Sequence, residues 1–102
     1  MARRIKWTAT SWNDLQDTAD FISKDSPYYA ASFVREVRDA ARSLKQFAER
    51  GRVIPEFNIH SIREIFVRNY RLIYQVSNNQ VSILAFIHGS RDLKSTWVKE
   101  KR

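Results

Sequence analysis

Apolar and polar residues alternate at the start of the chain, where Lys6 separates Ile5 from Trp7 and Thr8 follows. This is the period of a short strand with one buried face, expected to end near Thr10. Ser11 stands three residues before Asp14, a helix N-terminal cap pattern. Trp12, Leu15, Ala19 and Ile22 then recur at helical spacing and predict a first helix to about Lys24. Ser26-Pro27 restarts the pattern, because proline is tolerated in a first helical turn. Ala30, Phe33, Val37, Ala41, Leu44 and Ala48 form the apolar stripe of a second helix, which Gly51 is expected to close. The short link between the two patterns leaves room only for a helical hairpin.

From Gly51 to Ser61 the periodicity is lost, and the Gly, Pro and Asn of "GRVIPEFNIHS" suit a loop. "REIFVR", Arg63 to Arg68, predicts a second strand, joined through Asn69-Tyr70 to a third that begins at Arg71. Asn78-Asn79 suits a tight turn into a fourth strand ending at His88, since asparagine tolerates positive φ. With that turn as origin, strict pairing sets Val76 against Val81, Tyr74 against Ile83, Leu72 against Ala85 and Tyr70 against Ile87, all on one core face. The opposite face then carries Arg71, Ile73, Gln75, Ser82, Leu84, Phe86 and His88, with Glu64, Phe66 and Arg68 added from the second strand. Arg71 and His88 become diagonal neighbours, roughly 7 to 8 Å apart. Two helices cover one face of a sheet, so this mixed face is expected to stay partly open. The architecture is α+β: an N-terminal strand, an α-helical hairpin, then a three-stranded antiparallel meander in one twisted sheet. A single domain over residues 1–102 is expected, with a basic C-terminal tail over 89–102.

Composition changes this picture in two ways. The 102 residues are 43% hydrophobic and 13% aromatic, enough for one packed core despite 28% charged residues. The 18 Lys and Arg against 11 Asp and Glu give +7 and a pI near 10.1, the balance of a protein that meets phosphates or an acidic partner. The absence of cysteine excludes disulfides, thiol catalysis and Cys-based zinc sites. With two separated histidines, no metal site and no cofactor is expected. Gly51 and Gly89 are the only glycines, so there is no Gly-rich phosphate loop and no serine nucleophile elbow. Residues 1–6 are basic without a following apolar signal region, and no apolar run reaches membrane-spanning length; a cytoplasmic protein is expected.

The candidate chemistry is phosphoryl transfer on the Arg71 face. An arginine would neutralise phosphorane oxygens while histidine or glutamate moves protons, histidine being apt because its ordinary pKa is about 6.5. The plainer reading is an ion pair decorating an exposed strand. The basic face of the second helix, Arg35, Arg38, Arg42 and Lys45, suits nucleic acid or simple solvation, and Tyr28 and Tyr29 suit packing better than base stacking.

"IKWTATSWNDL", then a helical hairpin, "GRVIPE", "REI", "NYRLIYQV" and "ILAFIHGSRDL" together resemble the RelE/ParE superfamily of toxins from type II toxin–antitoxin modules, plasmid stabilisation proteins among them. The likeness spans nearly the whole chain and is most specific over "YRLIYQV…HGSRDL". It implies an α-hairpin packed on a twisted sheet and a cognate antitoxin whose acidic segment folds on binding. It implies two activities: ribosome-dependent cleavage of messenger RNA, taken as the first mechanism, or inhibition of DNA gyrase without nuclease chemistry. In the nuclease reading the resemblance makes Glu56, Arg71, His88 and Arg91 catalytic, in a metal-free attack of a ribose 2′-hydroxyl on the adjacent phosphate. Glu56 or His88 takes the 2′ proton, the other protonates the 5′ oxygen, and the arginines hold the phosphorane. Arg63, Arg68, Lys94 and Trp97 are the expected RNA contacts. The chain departs from the RelE pattern where second-strand lysines are replaced by Glu64 and Phe66, and where Trp97 stands near the position of a catalytic tyrosine. A third possibility is a silent RNA-binding or antitoxin-docking module.

Overall fold

A computed structural model describes residues 2–90; Arg91, Lys94 and Trp97 of the expected site lie outside them. Strand β1 (Arg4–Trp7) leads into α1 (Ala9–Ser23) and α2 (Pro27–Ser43), followed by β2 (Arg52–Val53), β3 (Ile62–Val67), β4 (Tyr70–Val76) and β5 (Gln80–His88). The strands form one sheet in the order β1-β5-β4-β3-β2. The meander β3-β4-β5 is antiparallel as expected. Two features were not: β1 joins the sheet parallel to β5, and the short edge strand β2 pairs with β3 within the stretch read as loop.

Both helices begin where a hydroxyl can cap them. Thr8, not Ser11, caps α1: its Oγ1 accepts from the Ser11 backbone N–H at 3.1 Å, and Ser11 is buried in the first turn. Ser26 caps α2 through the Tyr29 N–H, with Pro27 in the first turn. The stripe Phe33, Val37, Ala41, Leu44 and Ala48 is buried as expected, although α2 ends at Ser43 and the chain reaches Gly51 through turns. These side chains meet Ile65, Val67, Leu72, Tyr74, Val81, Ile83 and Phe86 from the sheet, together with Leu15 of α1. Burial of each large apolar side chain there contributes about 1.5–3 kcal/mol. No helix among the described residues is long and apolar enough to cross a membrane.

The expected register holds on one side of a single irregularity and fails on the other. Val76 pairs with Val81 and Tyr74 with Ile83, but Ile73 then pairs with Ala85, Leu72 with Phe86, Arg71 with Ile87 and Tyr70 with His88. Leu84 is the extra residue, a β-bulge that inverts the facing of everything after it on β5. The helix N-terminal region secures the bulge. The Asp14 carboxylate accepts the Phe86 backbone N–H at 3.1 Å, and Thr8 Oγ1 donates to the Leu84 carbonyl at 3.4 Å. Phe86 thus enters the helical core, while Ala85 and Ile87 turn to the other face, where Ile54, Phe57, Ile62 and Ile73 pack with them. The second face is therefore closed near Arg71, by apolar residues from the loop after β2, and not left open.

At the turns, Asn78-Asn79 joins β4 to β5 with the Ser77 N–H donating to the Gln80 carbonyl at 2.9 Å, and neither asparagine takes a positive φ. The β3–β4 turn is Arg68-Asn69, one residue earlier than expected, and there Arg68 adopts φ 55°.

Candidate functional site

Arg71 on β4 and Glu64 on β3 point from the same sheet face, as their parity across the β3–β4 hairpin requires, because Phe66 pairs with Arg71 and Glu64 with Ile73. Arg71 Nε donates to Glu64 Oε1 at 2.5 Å, and the far end of the guanidinium grips Glu56 in a bidentate pair at 3.0 and 3.1 Å. The second Glu64 oxygen takes Arg52 Nε of β2 at 2.6 Å. Four side chains thus alternate in charge, Arg52–Glu64–Arg71–Glu56, on the sheet face where Ile54 and Phe57 pack with Ile73, Ala85 and Ile87. The middle two are almost wholly removed from water, with side-chain exposures of 0% for Glu64 and 5% for Arg71. Arg52 is exposed and lies over the Phe66 ring.

The electrostatics follow from this geometry. The Arg71 hydrogen bonds hold the Glu56 carboxyl below its ordinary range, an effect that partial burial only opposes. Glu56, and then Glu64, in turn push the Arg71 guanidinium further up, so it is a fixed cation. Nearby, burial pushes the Tyr74 phenol up, and it stays neutral. It donates to the Ala48 carbonyl at 2.8 Å and accepts from the Gly51 N–H at 3.0 Å, tying the end of the helical hairpin to the sheet.

The other expected site residues scatter. His88 does not meet Arg71: the Leu84 bulge sends it to the helix face, edge-on to the Tyr70 ring, with Nδ1 2.8 Å from Ser90 Oγ. There it rims an open cleft of about 250 Å³ that also holds Asp14, Asp17 and Thr18. Arg68 likewise leaves the Arg71 face for α2, where Glu36 and the Tyr29 hydroxyl hold it. Arg63 bonds the Gly51 carbonyl at 2.8 Å and faces His60 Nε2 at 3.3 Å. Among the described residues no group of three or more His, Asp or Glu side chains converges in a way that would hold a metal ion. Arg52 carries no strong signal in the sequence, only its place before an apolar residue at the start of the stretch read as loop. The second role of Asp14 has no local signature.

An α-hairpin laid over a mixed five-stranded sheet defines the class of this chain as a small α+β protein. The sequence model of the ParE toxins of parDE type II toxin–antitoxin systems matches residues 5–93, and the chain belongs to that family. It is 30% identical over 89 residues to toxin RelE2 of Caulobacter vibrioides, covering 86% of this chain and 97% of that protein. It is 31% identical over 88 residues to the putative toxin Y4kP of Sinorhizobium fredii, covering 84% and 88%. The fold is shared with a chromosomal ParDE toxin–antitoxin system of P. aeruginosa, at TM-score 0.70 and 20% identity over 85% of this chain and 96% of that one. It is shared too with the RelBE2 toxin–antitoxin complex of Mycobacterium tuberculosis, at TM-score 0.60 and 22% identity over 86% and 99%.

Proposed function

We propose that this type II toxin arrests growth in the cytoplasm by binding and inhibiting DNA gyrase, not by cutting messenger RNA. The observation that carries this reading is the state of Arg71. Its Nε is held by Glu64 and both its terminal nitrogens by Glu56, so a phosphorane on that side would have to displace a bidentate carboxylate from a cation nearly removed from water. Of the two proton-transfer groups that the nuclease needs, only Glu56 is on its side, since His88 lies across the sheet. Here the pair fastens the Glu56 segment to β4. The reading reverses the order of the two activities that the sequence resemblance implies.

Induction of the protein in cells separates the two. Inhibition of gyrase predicts intact messages by primer extension, a DNA-damage response, and loss of supercoiling activity when purified toxin is added to gyrase. Messages cut within codons on the ribosome, with supercoiling unaffected, would restore the nuclease and make Glu56 the group that yields to the phosphate.

A further inference from the structure

Helix α1 opposes the charge of the rest of the chain. Over Ala9–Ser23 it carries Asp14, Asp17 and Asp20 and no lysine or arginine, in a protein whose net charge is +7. Asp14 and Asp17 are three residues apart and share a face of the helix. They form the helix side of the open cleft of about 250 Å³, whose sheet side presents Tyr70 and Phe86. Asp14 accepts the Phe86 N–H there, whereas Asp17 has no salt-bridge partner among the described residues.

Carboxylates on one wall and an aromatic ring on the other select a planar cation. A guanidinium pairs with carboxylates through its fork of N–H donors and lays its face on a ring, which a compact ammonium does less well. A phosphate would meet like charge in the same place. The chain itself brings a guanidinium to the rim of the cleft. His88 lies on that rim, and its Nδ1 accepts the Ser90 N–H at 3.2 Å and stands 2.8 Å from Ser90 Oγ. Arg91 comes next, one Cα step of about 3.8 Å beyond Ser90. From there to the end, the sequence holds Arg91, Lys94, Lys99, Lys101 and Arg102 against Asp92 and Glu100, a charge opposite to that of α1.

We propose that Arg91 seats its guanidinium in this cleft, between Asp14 and Asp17 and against the Tyr70 ring, and so straps the basic tail to α1. Tethering favours this occupant over a cation from another protein. A side chain one residue from the rim binds at a high effective concentration, while a separate molecule loses translational and rotational freedom. The strap gives Arg91 a role inside the toxin's own fold in place of a phosphate contact. It also braces Asp14, the residue that holds the Phe86 N–H beside the bulge. It does not depend on the choice between gyrase and messenger RNA.

The test is the rate at which trypsin cuts after Lys94 in the full-length toxin, followed by mass spectrometry, with a free peptide of residues 90–102 as the unstrapped standard. The native chain is expected to be cut roughly tenfold or more slowly than the peptide, and Asp17→Arg and Arg91→Glu each to be cut at close to the peptide's rate. The exchanged pair Asp17→Arg/Arg91→Glu is expected to restore slow cutting, with circular dichroism checking that each variant is folded. A native chain cut as fast as the peptide would overturn the strap. Slow cutting that neither single change relieves would do so too, and so would fast cutting that the exchanged pair fails to slow. Salt supplies a reading that needs no variant. Protection relative to the peptide should fall as ionic strength rises towards about 1 M, and protection unmoved by salt would equally overturn the strap.

Discussion

Arg71 and His88 lie on neighbouring strands and on opposite faces of the sheet, Arg71 across from Ile87 and His88 across from Tyr70. His88→Gln is therefore expected to leave growth arrest intact and to change stability by no more than about 0.5 kcal/mol, as befits an exposed strand end. Growth after induction, paired with urea denaturation, checks this. A folded His88→Gln protein that no longer arrested growth would return the histidine to the working site.

The separation depends on Leu84, and the bulge depends on α1. Asp14→Ala removes the acceptor of the Phe86 N–H next to a core phenylalanine that is 2% exposed, and is expected to cost about 1–3 kcal/mol. Deleting Leu84 removes only the extra residue and makes the ladder regular, so Phe86 should stay in the core and Ile87 on the Arg71 face, and a cooperative unfolding transition is expected to be retained. A deletion protein that lost its cooperative transition would mean that the bulge does more than set the facing of β5.

Arg71→Ala strands Glu64 with only the exposed Arg52 as counter-ion, and removal of one member of a buried pair typically costs about 3–5 kcal/mol. The double change Arg71→Leu/Glu64→Met is expected to recover most of this, because the surroundings are apolar. Denaturant midpoints of the two variants decide it. If Arg71→Ala abolished toxicity with its midpoint unmoved, the guanidinium would have a role beyond holding the Glu56 loop.

Much of this was legible in the sequence, and the failures have physical causes. The Ser26 cap, the α2 stripe and the Asn78-Asn79 turn are local signals, and each stands where its residues indicate. The Glu64–Arg71 shared face was also readable, because no irregularity lies between them. The bulge was not. "ILAFI" is apolar at every position, so either parity buries a plausible set, and an inserted residue leaves no mark on the pattern. The orphaned Phe86 N–H that marks it is satisfied by Asp14, a residue far away in the chain. The parallel pairing of β1 is invisible to alternation, which reports faces and not neighbours. The apolar Ile54 and Phe57 in the presumed loop were the available hint that the second face is covered.

Gly51 and Tyr74 are fitted to one another. A Cβ on Gly51 would stand 2.3 Å from the Tyr74 hydroxyl and 2.6 Å from the Glu64 carbonyl oxygen. Gly51→Ala should accordingly destabilise strongly, and adding Tyr74→Phe should rescue it only in part, because the clash with backbone remains. Tyr74→Phe alone orphans the Ala48 carbonyl and Gly51 N–H and should cost about 1–3 kcal/mol. Thermal unfolding of the three variants tests the order. Full rescue in the double variant would place the strain wholly on the hydroxyl.

Acid sensitivity should trace to Glu56. Its folded-state pKa lies below the ordinary 4.5, so its contribution is fully present above that value and is lost as pH falls through the lowered one. Arg71 stays charged throughout and adds no slope. In Glu56→Gln this part of the pH dependence disappears. Native and variant stabilities, apart at neutral pH, are expected to converge below about pH 4 in urea titrations. A gap that stayed constant into acid would show that the pair does not stabilise the fold.

The first strand to be synthesised, β1, finds its ladder partner only in the last described strand, β5, which lies between β1 and β4. The helical hairpin closes through neighbours in sequence, and so does β3 with β4, but β1 has no ladder partner until Gln80–His88 is in place. A chain interrupted before Gln80 would keep the contacts of Phe33 with Tyr70, Arg68 with Glu36 and Tyr74 with Ala48, while β1 lacked a neighbour in the sheet. β5 alone joins β1 to the rest of the sheet, lying beside β4, offering its far side to β1 and bringing the Phe86 N–H to Asp14.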